Sequence, residues 1–222
     1  GTAAITQGIG NDLGSAGGVI NIATKTPKFV NAGEVSLRSG SWGQFRPTFD
    51  VQTVLDKEQA IGFRINGAFE RADNYRVNVS KDRIYVNPSF AWKPNKKTSV
   101  TVEMDYMHDT RTPDRGTVNL AADSVNALYK MPHNNFLGFE TDRALTNNLT
   151  YALRFERSLS DLFSVRVAYF GSTLDTDNTG ASTSTLKNVS KTGLYNLRSR
   201  SLTRSTRADN NSALQVDLIG RD

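Results

Sequence analysis

A chain of 222 residues is long enough for one good core, so a single domain is the default expectation. Hydrophobic residues make up 37% and no apolar run approaches the roughly 20 of a membrane-spanning helix, which excludes a helical membrane protein. The net charge of +5 is spread along the chain rather than gathered with aromatics in one patch, so no nucleic-acid partner is expected, and the absence of cysteine excludes disulfides and thiolate metal sites. A membrane barrel remains open, because its strands need only about 9–11 residues with every second one apolar.

Residues 1–27 are rich in glycine and small side chains, with Ile5, Ile9, Leu13 and Val19 as the few anchors. Gly1-Thr2-Ala3-Ala4 lacks the basic start and apolar run of a signal peptide. The glycines from Gly8 to Gly14 miss the dinucleotide fingerprint in spacing and in flanking elements, so no phosphate loop is expected. Gly17-Gly18 permits a sharp bend, Val19-Ile20-Asn21-Ile22 has the makings of a short strand, and Pro27 ends it.

From Gly33 onward apolar residues recur with period two, which predicts strands. Val35 and Leu37 form the first set, followed by Phe45, Phe49, Val51 and Leu55, then by Ile61, Phe63, Ile65 and Phe69. Ile84, Val86, Phe90 and Trp92 precede Val100, Val102, Met104 and Tyr106. Leu149, Tyr151, Leu153 and Phe155 lead to Phe163, Val165, Val167 and Tyr169, and Leu214, Val216 and Leu218 close the series of eight. Pro88 falls inside the fourth set, where a bulge is expected to accommodate its missing N–H.

A soluble sandwich shares this alternation. Three features favour a membrane barrel. Full charges stand mid-strand on the polar face, at Arg64, Glu103, Asp105, Arg154, Glu156, Arg166 and Asp217, as they do around a water-filled lumen. Short turns (56–60, 93–97, 160–162) alternate strictly with longer loops (72–81, 111–146, 176–210), matching a barrel with one short-turn rim and one long-loop rim. Trp92 and Trp42 lie near opposite strand ends, where interfacial aromatics collect.

Catalytic chemistry finds no support. His108 and His133 have no partner at metal-ligand spacing, and Asp105, Asp109 and Asp114 do not fit a calcium loop, so neither metal nor cofactor is expected. The loop 111–146 is balanced in charge, and 120–130 within it is compatible with a short helix. The loop 176–210 sets Lys187, Lys191, Arg198, Arg200, Arg204 and Arg207 against Asp177 and Asp209, around Tyr195. Such a loop either attracts an anionic ferric chelate or lipopolysaccharide phosphates, or is an ordinary solvated loop.

The run Gly17-Gly18-Val19-Ile20-Asn21-Ile22-Ala23-Thr24-Lys25-Thr26-Pro27 resembles the end of the plug domain in TonB-dependent outer-membrane receptors. Asn87-Pro88-Ser89-Phe90-Ala91-Trp92-Lys93-Pro94 is similar to a hairpin of their siderophore-receptor branch, and Met131-Pro132 through Phe136-Leu137-Gly138 resembles a loop after the fifth strand. Leu153 to Arg157, Phe163 to Arg166 and Leu214 to Leu218 follow in the family's order. The resemblance implies an all-β fold: the C-terminal end of a plug (1–30) leads into an antiparallel transmembrane β-barrel (31–222). It also implies that these eight strands belong to a larger barrel of about 22. It further implies a bacterial outer-membrane importer of a ferric siderophore, energised through TonB and surrounded by lipid and lipopolysaccharide. Gly17, Gly18, Val19, Ile20, Asn21, Lys25 and Pro27 would form the plug–barrel junction. Tyr106, His108, Arg111 and Tyr195, at or beyond the outer strand ends, are the candidate ligand contacts. A glycan, cobalamin or peptide importer of the same fold is the alternative, followed by a passive porin or adhesin.

Overall fold

The computed structural model describes residues 24–116, 132–183, 187–188, 195–196 and 200–220. Ten strands occur in them: β1 (Ala32–Ser39), β2 (Phe45–Val54), β3 (Ile61–Asp73), β4 (Ser80–Asn95), β5 (Thr98–Arg111), β6 (Arg143–Ser158), β7 (Phe163–Thr183), β8 (Lys187–Asn188), β9 (Tyr195–Asn196) and β10 (Arg200–Gly220). Eight form one antiparallel meander in the order β1-β2-β3-β4-β5-β6-β7-β10, while β8 and β9 pair only with each other. The eight alternating sets are therefore eight neighbouring strands. Among the described residues no ladder joins β10 to β1, so the sheet is open.

Register keeps the two faces apart across the whole sheet. Arg64 stands opposite Ser89, Ser89 opposite Glu103, and Glu103 opposite Ala152. Farther along, Glu156 faces Arg166 and Arg166 faces Asp217. Directly opposed residues share a face. Within the apolar band, every strand therefore gives its charged alternates to one side and its apolar alternates to the other.

Burial runs against hydrophobicity. Asn87 is 1% and Glu103 2% exposed, whereas Val35 is 77% and Leu214 65% exposed. A soluble sandwich would bury the apolar side chains against a second sheet. Here Val102 and Leu153 are exposed, and the polar face is the crowded one. Small residues at Ala91, Ala152 and Ala168 lie buried beneath its longer side chains. The apolar band ends upward where polar residues take over its outer positions, at Arg71, Asp82, His108, Asn147 and Asp175. From Ile84 to Trp92 it covers roughly 26 Å of strand at about 3.3 Å per residue, or about 20 Å of height at the roughly 35–45° tilt of barrel strands, approaching the ~25 Å band of membrane barrels.

Three sequence expectations need correction. The region 176–210 is not a loop throughout, because β7 continues to Thr183 and β10 starts at Arg200. Above the apolar band both faces meet water, so polarity stops alternating although the ladder continues. Strict alternation of loop length also fails: 40–44 and 74–79 are no longer than 55–60, and only 112–142 and 184–199 are long. Finally, no bulge lies at Pro88. The β4–β5 register is the same on both sides of it and shifts only between Trp92 and Asn95. Asn87 explains how this is possible. Its Nδ2 donates to the Met104 carbonyl at 2.9 Å, supplying the hydrogen bond that proline has no N–H to make. The short helix considered at 120–130 lies outside the described residues.

Candidate functional site: the polar wall

The polar face is a wall in three tiers, and the lowest is crossed by residues 24–29. Asp50 on β2 accepts two bonds from Arg64 on β3, at 2.8 and 2.7 Å, and pairs with Lys25 at 2.8 Å. Arg64 Nη1 donates to the Thr26 carbonyl at 3.0 Å, and the Ser89 hydroxyl donates to the Lys25 carbonyl at 3.1 Å. The Thr24 hydroxyl donates to Glu103, whose other oxygen receives Arg154. The Lys28 amide donates to Gln52 at 3.2 Å. Gly62 on β3 leaves room for this strap, since a Cβ there would lie 2.9 Å from Pro27 Cβ. The strap is thus held by charged groups on one side and by close packing on the other.

The middle tier is an amide and phenol network. Asn66 Nδ2 donates to Asn87 Oδ1 at 2.8 Å, and Asn87 Nδ2 also donates to Asp105 at 2.8 Å. Asp105 receives the Tyr85 hydroxyl at 2.6 Å as well. Such a chain satisfies buried polar groups across three strands and fixes their register. The upper tier is ionic. Glu70 is held by Arg46 at 3.2 Å and Lys81 at 2.6 Å, and Asp109 by Arg83 at 3.2 Å and Arg111 at 3.7 Å. Four cations therefore face two carboxylates at the long-loop end of the wall. Between the upper tiers, a cleft of about 180 Å³ is lined by Arg46, Glu70, Arg83, Tyr85 and Met107. No group of side chains suited to holding a metal ion occurs among the described residues.

No protein-family model matches the chain. Among curated proteins, the metal-pseudopaline receptor CntO of Pseudomonas aeruginosa strain UCBPP-PA14 is 32% identical over 156 residues, covering 70% of this chain and 22% of the relative. The ferrichrome outer membrane transporter/phage receptor of Escherichia coli K12 is 24% identical over 158 residues, covering 68% of this chain and 21% of that protein. The solved ferric-catecholate import receptor Fiu from E. coli K12 shares the fold at a TM-score of 0.71 and 22% identity, over 91% of this chain and 30% of that one. The chain belongs to the TonB-dependent outer-membrane receptors, in their siderophore-receptor branch. It spans about 22% of the length of CntO. These relatives are receptors and transporters, not enzymes.

In this receptor chain the apolar band is the lipid-facing surface of part of a transmembrane β-barrel, and the polar wall lines its interior. The candidate contacts separate accordingly. Arg111 lies on the wall beside Asp109. Tyr106 and His108 do not, because even-numbered positions of β5 point outward with Val102 and Met104. Tyr106 caps the apolar band, and His108 Nδ1 sits just above it, 2.6 Å from Asn147 Oδ1. Strand parity, readable in the sequence, separates these two from Arg111. Tyr195 belongs to the short β9 ladder. Of the junction residues, Lys25 and Pro27 touch the wall, while Gly17, Gly18, Val19, Ile20 and Asn21 lie outside the described residues. The two carboxylates set against the cations of 176–210 are engaged by two of them: Arg204 pairs with Asp177 at 2.7 Å and Arg207 with Asp209 at 2.6 Å. Above the band, the Arg204 guanidinium holds the Asp177 carboxyl below its usual range. Thr24, Asn87, Ser89 and Gly62 were missed as site residues. The only sequence signal was the smallness or polarity of those positions beside mid-strand charges.

Proposed function

We propose that this chain is the plug–barrel junction and adjoining wall of an outer-membrane receptor that imports a ferric siderophore. Ligand would bind between the long loops and the plug apex, and TonB, driven by the inner-membrane proton gradient, would remodel the plug to release it inward. The observation that carries this reading is the strap: residues 24–29 lie on the interior face, clasped through Asp50, Arg64, Ser89 and Glu103. A passive porin or adhesin has no need of a segment fastened inside its lumen. The cationic upper tier supports an anionic chelate as cargo, since four basic groups outnumber two carboxylates there. The ligands these relatives are named for, metal-pseudopaline and ferrichrome, support the same class. Lipid and lipopolysaccharide would surround the apolar band and its polar margin.

The test is uptake of radiolabelled iron chelates by cells that carry the full-length receptor, with and without TonB. Uptake of at least one ferric siderophore, abolished without TonB, is expected. Uptake confined to cobalamin, a glycan or a peptide would replace the cargo, and TonB-independent passage of small solutes would replace the mechanism.

A further inference from the structure

The short-turn rim carries a feature that cargo import does not use. Arg157 is on the lipid-facing side of β6, opposite Thr98 and Val165, and it is exposed. Its surroundings are apolar: Leu159, Leu162 and Phe163 are all exposed at the same rim, and Trp92 marks the end of the band on β4. Among the described residues no carboxylate pairs with Arg157, and none pairs with Lys96 or Lys97 in the neighbouring turn. At the long-loop rim the outward arginines Arg71 and Arg204 pair with Asp82 and Asp177, while Arg143 has no such partner among the described residues. Glu156 is already engaged by Arg166 at 2.7 Å. A cleft of about 500 Å³ at this rim is lined by Lys96, Lys97, Thr98, Arg157 and Leu159, while an adjoining one of about 310 Å³ opens to the interior face through Ser99, Glu156, Ser164 and Arg166.

An unpaired guanidinium on the lipid face, at the level where the acyl chains end, is placed to meet a headgroup anion. We propose that Lys96, Lys97 and Arg157 form a headgroup site for an anionic phospholipid such as phosphatidylglycerol. Its phosphate is received by the three cations and by the hydroxyl of Thr98, which stands opposite Arg157 on the same face, and its acyl chains lie along Val165, Phe155 and Trp92. Arginine suits this role through its planar fork of donors, with the lysines adding charge. The site rests on the outer-membrane reading, in which short turns face the periplasmic leaflet.

The experiment uses the full-length receptor in nanodiscs of equal phosphatidylglycerol and phosphatidylethanolamine, released into detergent and examined by native mass spectrometry. Retained phosphatidylglycerol is expected to exceed phosphatidylethanolamine several-fold for the wild type. In K96Q/K97Q/R157Q the ratio should fall to that of the bulk, whereas K57Q, at another short turn, should leave it unchanged. A bulk ratio in the wild type, or undiminished enrichment in the triple variant, overturns the site. So does loss of the enriched lipid on adding millimolar glycerol 3-phosphate, which would make the occupant a soluble anion. The wild-type ratio decides the matter even if the variant does not fold. Fractionation keeps the two readings apart: a barrel found in the outer membrane without lipid enrichment refutes only this site, whereas absence from the outer membrane refutes the reading beneath it.

Discussion

Asn87 shows how much a single side chain settles in this sheet. It occupies the position before Pro88, is almost wholly buried, and bonds to Met104, Asp105 and Asn66 at once. Asn87→Ala should lower the stability of the full receptor by about 2–3 kcal/mol, since buried partners are left without bonds. Pro88→Ala in the same chain restores an N–H opposite Met104 and should recover part of that loss. Unfolding midpoints in detergent would check both, and equal midpoints for the single and double variants would refute the compensation. Asp50 separates from Lys25 in the same way. Lys25 is 59% exposed at its side chain and Arg64 only 11%. Lys25→Ala should cost no more than about 1 kcal/mol, while Asp50→Asn leaves the buried Arg64 unpaired at about 3–5 kcal/mol. Hydrogen exchange over residues 24–29 should therefore accelerate far more in the second variant. Lys25, Pro27 and the mid-strand charges were visible in the sequence. Their partnerships were not, because each depends on register between residues far apart in the chain.

At the level of strands, period two recovered all eight members of the sheet, since lipid on one side and water on the other impose different chemistry on alternate residues. The method lost the strands where that difference ends, in the upper halves of β7 and β10. There Thr176, Asn178 and Arg204 meet water on either face, and only the ladder with its cross-strand pairs keeps them extended. Within β7 two glycines now have different meanings. The Tyr151 ring lies over Gly171, so that any Cβ there would collide with it, whereas a Cβ on Gly180 would meet Pro113 at an ordinary 3.5 Å. Gly171→Val should destabilise the barrel by about 1–3 kcal/mol through overpacking, and Gly180→Ala should be close to neutral. Thermal unfolding of the two variants would show the contrast. Matching losses would mean that the tyrosine ring yields easily.

On the scale of the molecule, the wall sorts its charges by height. Near the strap three cations meet two carboxylates: Lys25 and Arg64 share Asp50, and Arg154 pairs with Glu103. Toward the long loops the cationic excess grows, with Arg46, Lys81, Arg83 and Arg111 sharing only Glu70 and Asp109. This pattern fits a vestibule that gathers an anion above a floor that must stay closed. The expectation concerns rate as well as affinity, because a focused field raises encounter rates by about 10–1,000-fold and is screened by salt. In cells carrying the full-length receptor, Arg46→Gln with Arg83→Gln should slow association of an anionic ferric chelate by roughly tenfold at low ionic strength. The difference should shrink as salt rises over about 0.01–0.15 M, where the Debye length falls from about 30 to 8 Å. A neutral chelate provides the control, since its association should not respond to either change. Equal slowing of charged and neutral chelates would mean that these arginines shape the vestibule rather than its field.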